Sequence, residues 1–185
     1  MALRLFVAVQ LPDPLRGRLA AHAERLAGAG RVVAAANLHV TVHFLGRVDE
    51  HDAAPLKAAL EAAVAAMPAF ALRLTGVAPG PRRRPRMLWA TIDRDPRFDE
   101  LAQAVASAAA PFAPEARPPR TARPHITLVR HRGAPPPGEE ALAADIPVDA
   151  VELVSSRLEP GGADYETLAR LPLEPGTPVD QLKPV

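Results

Sequence analysis

The chain contains no cysteine. That removes disulfides, thiolate metal sites and cysteine nucleophiles together, and it fits the reducing cytoplasm as the expected location. Neither sign of charge dominates. Against 22 lysines and arginines stand 21 aspartates and glutamates, for a formal net charge of +1, so the global field that nonspecific nucleic-acid binders use is missing and any contact with nucleic acid must be local. Long apolar runs are also absent, because Arg, Glu or Lys interrupts every alanine-rich stretch well short of the roughly 18 residues that a membrane span needs. The opening MALRLFVAVQLPDP alternates and carries Arg4, so it reads as a strand and not as a leader, and no membrane contact is expected. Neither GxGxxG nor GxxxxGK(S/T) occurs, which argues against a nucleotide cofactor held at a helix N-terminus.

What is present is a series of short strands and helices in a chain of 185 residues, enough for one folding unit with a substantial core. Residues 3–10 alternate as a strand. In 14–28 Leu15, Leu19, Ala23 and Leu26 share one helical face that closes at Gly28. NLHVTVHFL at 37–45 is a second strand, expected to end at Gly46, and 52–66 an alanine-rich helix stopped by Pro68. Strands at 70–77 and 86–93 flank the basic loop PGPRRRP, and a helix follows at 97–110. Prolines at 111, 114, 118, 119 and 124 exclude helix up to the short apolar strand HITLV at 125–129. A second proline-rich loop spans 133–138, strands follow at 148–158 and 164–171, and residues 173–185 read as a loosely held tail behind a single domain of residues 1–172. Helices and hairpin-like strand pairs that do not alternate strictly predict an α+β fold with antiparallel sheets.

Two tetrapeptides repeat one pattern: His39-Val40-Thr41-Val42 and His125-Ile126-Thr127-Leu128. On a strand, His and Thr point to one face and the two apolar residues to the other, so each segment offers an imidazole and a hydroxyl on one side of a greasy seam. Six histidines and seven threonines would give about 0.2 His-x-Thr triplets by chance, and two are found. Two imidazoles can open a phosphodiester without metal: one takes a proton from water while the other donates one to the leaving oxygen. An unperturbed pKa of roughly 6.5 allows both roles near neutrality, and Thr41 and Thr127 could stabilise charge on the phosphate oxygens. A strained cyclic phosphate suits so light an apparatus, because ring opening lessens the help its leaving group needs.

With RLFVAVQLP, NLHVTVHFLG, RMLWATID and RPHITLVR, the sequence resembles the RNA 2′,3′-cyclic phosphodiesterases, the LigT-like family of the two-histidine phosphoesterases, over most of its length. The resemblance implies a bilobal, pseudo-twofold α+β fold with two antiparallel sheets around a central cleft and helices outside. It implies hydrolysis of an RNA 2′,3′-cyclic phosphate to a 2′-phosphate, with His39 as proton donor and His125 as acceptor, and with 2′,5′ RNA ligation as the reverse reaction in some members. It implies no cofactor. A monomer is expected.

Simpler roles compete for the remaining residues. His43 shares the His39 face under strict alternation, and HVTVH could be part of a metal site, but no carboxylate or third ligand stands at a recognisable spacing, so no metal is expected and His43 is kept only as a substrate contact. Arg82, Arg83 and Arg84 are a solvated loop or a contact for an RNA backbone, with Arg84 the residue retained. Arg130 resembles the arginine that follows the family's second motif and is kept as a substrate contact, yet alternation puts it on the Ile126 and Leu128 face unless the strand twists at its end. His22, His51 and His131 read as surface residues, Trp89 and Phe44 as core, and Tyr165 as a candidate stacking ring. Two rivals remain: a related enzyme for small cyclic phosphates of nucleotides or ADP-ribose derivatives, and a noncatalytic RNA-end binder.

Overall fold

In the computed structural model, residues 2–81, 83–117, 123–136, 140–159 and 162–175 are described. Strand β1 (Ala2–Gln10) is followed by helix α1 (Asp13–Leu26), the two-residue β2 (Arg31–Val32), β3 (His39–Asp49) and α2 (Ala53–Val64). The chain continues through β4 (Phe70–Gly80), β5 (Met87–Ile92), α3 (Pro96–Ala109), β6 (His125–Arg130), β7 (Glu140–Val148), β8 (Ala150–Glu159) and β9 (Gly162–Pro172). Two antiparallel sheets result, ordered β3-β1-β8-β9 and β2-β6-β5-β4-β7. Each motif strand pairs with a partner of its own lobe, β3 with β1 and β6 with β5, so the two halves repeat one arrangement.

β1 lies inside its sheet and is covered on both faces, which is why Leu5 through Val9 are all buried. Leu5, Val7 and Val9 join a core that spans both sheets, whereas Phe6 and Ala8 form a small cluster with Val154 on the opposite face. The helices form where expected. α1 buries Leu15, Leu19 and Ala23, and α2 buries Leu56, Leu60 and Val64, each at helical spacing. α3 starts at Pro96 and is capped by Asp95, whose carboxylate accepts the Arg97 backbone N–H at 2.9 Å. α2 and α3 pack together, α3 against β3, and α1 against β6, so the helices hold the outer faces and leave the space between the motif strands open. No helix among the described residues is long and apolar enough to cross a membrane.

The structure departs from the sequence reading most at three places. β3 does not stop at Gly46; it runs on to Asp49 because Gly46 takes φ 78° at a bulge, a conformation that glycine adopts without steric cost. β7 lies in a segment read as connection: its alanines and Pro147 give little strand signal, but it is an edge strand, where a missing N–H does no harm. Ordered packing passes residue 172, since Leu173 is buried and Glu174 exchanges backbone hydrogen bonds with Met67 and Ala69. The rest of the expected tail, 176–185, lies outside the described residues, as does Arg82.

Candidate active site

Both motif strands carry a bulge at the same place. In the β1–β3 ladder Ala8 pairs with Thr41 and Val7 with His43, leaving Val42 unopposed; in the β5–β6 ladder Trp89 pairs with Thr127 and Leu88 with Val129, leaving Leu128 unopposed. An extra residue on one strand reverses the alternation that follows it. Residues expected on the cleft face beyond the fourth motif position therefore move to the core, and the reverse.

This corrects three expectations. His43 does not share the His39 face; it turns to the other side and is only 6% exposed. Phe44 is no core residue but stands 65% exposed at the cleft. Arg130 does reach the cleft, and the bulge at Leu128 delivers it there rather than an end-of-strand twist. Strict alternation could not show any of these, because nothing in either tetrapeptide marks its fourth residue as a bulge.

His39, Thr41, His125, Thr127 and Arg130 all line one cavity of about 800 Å³ between the sheets. Arg84 does not: it is exposed in the turn after β4, its N–H donating to the Pro81 carbonyl, and lines no cavity described here. Each imidazole is oriented in the same way. Nδ1 of His39 lies 2.8 Å from the Asn37 carbonyl and Nδ1 of His125 lies 3.0 Å from the Arg123 carbonyl. A carbonyl only accepts, so both Nδ1 atoms carry hydrogen and both Nε2 atoms are the working nitrogens. Nε2 of His39 is 3.1 Å from the Thr41 hydroxyl.

Aromatic rings fix the planes. The His125 ring stacks on Trp89 at 3.9 Å between centroids, and the Gly80 position admits no side chain, because a Cβ there would overlap the indole. His39 sits 4.9 Å from Phe6 and 5.5 Å, edge-on, from Tyr165. The Asn37 side chain donates to the Ala163 carbonyl, tying the start of the first motif to the hairpin that carries Tyr165. Burial pushes both histidines below their ordinary pKa; the carbonyls bonded to Nδ1 oppose this, Arg130 lowers both further, and His125 adds to the lowering of His39.

Sequence reasoning missed Phe6, Asn37 and the stacking role of Trp89. Phe6 and Trp89 looked like ordinary strand residues, and Asn37 holds His39 through a backbone carbonyl that any residue would supply, while its side chain reaches Ala163, far away in sequence. His131, expected in solvent, is half-buried against Gly30. Among the described residues, the one group of His and carboxylates close enough to share an ion, Asp49, His51 and Asp52, includes neither motif histidine and lines neither cavity.

The arrangement, two neutral-leaning imidazoles with hydroxyls and the arginines Arg4, Arg31 and Arg130 around a common space, can move a proton on and another off a phosphate ester held between them. Comparison with known proteins agrees with that chemistry. The profile of the 2′-5′ RNA ligase superfamily matches residues 11–160. The chain is similar to an RNA 2′,3′-cyclic phosphodiesterase of Escherichia coli K12, 36% identical over 73% of this chain and 78% of that protein. It is also similar to one of Thermotoga maritima, 25% identical over 94% and 97% of the two chains. Among solved structures, E. coli LigT complexed with 3′-AMP superposes with a TM-score of 0.75 at 27% identity, covering 94% of this chain and 99% of that one.

Proposed function

The chain belongs to the 2′-5′ RNA ligase superfamily, and from that premise we propose that it is an RNA 2′,3′-cyclic phosphodiesterase, a hydrolase that opens a terminal cyclic phosphate to a 2′-phosphate. The observation that carries the reading is the pair of imidazoles on one cavity, each with Nδ1 tied to the carbonyl two residues back and Nε2 left for the substrate.

With the cyclic phosphate between the motif strands, Nε2 of neutral His125 takes a proton from water as the water oxygen attacks phosphorus. The bond from phosphorus to the ribose 3′ oxygen breaks, and protonated His39 gives that oxygen its Nε2 proton. The phosphate remains on the 2′ oxygen, and solvent restores the two protonation states. The Thr41 and Thr127 hydroxyls and the Arg130 guanidinium stabilise charge on the non-bridging oxygens. His125 becomes an imidazolium lying on the Trp89 face, where the ring quadrupole favours a cation, which suits the acceptor role. With an RNA 5′-hydroxyl in place of water, the same steps join two ends through a 2′,5′ linkage.

The chemistry requires no metal. The reading extends to a monomer in the cytoplasm, and to both halves as one working unit, the latter supported by the large core that spans both sheets. The test is hydrolysis of a 2′,3′-cyclic-phosphate oligonucleotide in excess chelator, with the product isomer identified. Release of a 2′-phosphate at an undiminished rate is expected. Loss of activity restored by added metal would overturn the mechanism, and no turnover at all would move the reading to a small-molecule enzyme or a noncatalytic binder.

A further inference from the structure

The cleft does not end at the two imidazoles. A second cavity of about 880 Å³ opens from the same junction and shares Arg4, Thr41, Phe44, Gly46, His125 and Ser156 with the first. His125 faces both arms, whereas His39 and Thr127 face only the first. The second arm runs toward α3 and the chain ahead of β6, where Phe98, Ala102 and Ala116 make an apolar wall beside the guanidinium groups of Arg47, Arg117 and Arg123.

Charge in this arm is unbalanced. Of its two carboxylates, Asp99 is engaged by Arg94 at 3.6 Å and Glu115 has no ion-pair partner, while none of Arg47, Arg117 and Arg123 takes part in an ion pair among the described residues. The bulge at Val42 adds a second feature by turning His43 into this arm, 6% exposed and with no hydrogen-bond or ion-pair partner among the described residues. Burial holds His43 below its ordinary pKa, so it offers one neutral donor and one acceptor. A residue enclosed over most of its surface that still lines a cavity without a protein partner is placed to bond a ligand there.

An apolar wall, a buried hydrogen-bonding ring and unspent guanidinium groups together complement a nucleotide: a base on the wall with its edge toward His43, and a phosphodiester among the arginines. Water attacking from the His125 side needs no space of this size, and only the joining reaction brings an RNA 5′-hydroxyl in from that side. An RNA strand continuing from the 5′ oxygen of the terminal ribose does need a path, and the unpaired cations mark one.

We propose that the second arm binds the nucleotide immediately 5′ of the cyclic-phosphate end, so that the enzyme prefers an oligonucleotide over a mononucleoside substrate. This rests on the phosphodiesterase reading. The experiment compares kcat/KM for a mononucleoside 2′,3′-cyclic phosphate with that for a trinucleotide ending in the same cyclic nucleotide, in the wild type and in an Arg47→Gln, Arg117→Gln double variant. The wild type favours the trinucleotide by tenfold or more, through KM. The double variant loses most of that advantage, turns over the mononucleoside within about twofold of wild type, and shows a salt dependence shallower by about 1.4 log units per log unit of salt for two lost phosphate contacts. Arg47→Lys with Arg117→Lys restores the preference. Equal use of both substrates by the wild type, or a preference that survives in the Gln variant, overturns the subsite while leaving the hydrolase reading intact. A KM raised equally for the mononucleoside also overturns it, by giving the arm to the terminal nucleoside. Turnover of neither substrate by the wild type overturns the reading beneath it.

Discussion

The strands β3 and β6 are built alike up to their bulges and unlike after them. Both present His, an apolar residue and Thr, both hold Nδ1 with the carbonyl two residues back, and both bulge at the fourth motif residue. Past the bulge, β3 sends His43 away from the first cavity and Phe44 toward it, whereas β6 buries Val129 and sends Arg130. The shared part is an acid–base device that symmetry can duplicate, because each side of a phosphorus needs one proton handler. The unshared part cannot be duplicated: one strand supplies an exposed ring and the other a fixed positive charge, so the first favours a nucleoside and the second a phosphate.

That division of labour can be broken at either end. Removing either half of the common device is expected to cost most: His39→Ala or His125→Ala should lower kcat by about 10³-fold or more, measured on a cyclic-phosphate substrate with folding checked by circular dichroism. A loss below tenfold in either variant would remove that histidine from the chemistry.

Next comes Arg130. Arg130→Gln should lower kcat/KM by about 10²-fold, the scale of losing one donor to a developing charge. It should also displace the pH profile. In the free enzyme the base must be deprotonated and the acid protonated, so the kcat/KM maximum sits midway between the two histidine pKa values. Burial and Arg130 depress both, which places the wild-type maximum on the acid side of about 6.5. Removing the guanidinium takes away a cause of the lowering on each side, so the profile should move to higher pH. A maximum that stays in place would show that Arg130 does not act on both rings.

Thr41→Val and Thr127→Val should each lower turnover by about tenfold with little change in Tm, and unequal losses would show which hydroxyl carries more of the phosphate charge. Phe44→Leu should raise KM a few-fold at constant kcat, since an exposed ring binds without touching the reacting atoms. Smallest of all, Arg84→Gln should leave both constants within about twofold, because Arg84 lies outside the cleft; a larger effect would mean that the loop closes over the substrate.

The elements and the two reacting side chains were legible because their signals are local. Leu15, Leu19 and Ala23 state a helix by spacing alone, and a His-x-Thr pair on a strand states which face it serves. What the sequence could not carry was register. The bulges at Val42 and Leu128 arise from how β3 lies on β1 and β6 on β5, and they decide the sides of His43, Phe44, Val129 and Arg130 without changing any local pattern. Edge strands were hidden for the same reason: β7 is a strand because β4 needs a neighbour, not because EALAADIPV prefers to be one.

The most direct test of the acid–base assignment is the pH dependence of kcat/KM for the wild type and the residual activity of the two alanine variants. The wild type should give a bell. His125→Ala should lose the acid limb, because no base remains to be protonated, and His39→Ala should lose the alkaline limb, because no acid remains to be deprotonated. The same two limbs lost in the opposite order would exchange the roles, and a complete bell in both variants would contradict the two-imidazole mechanism itself.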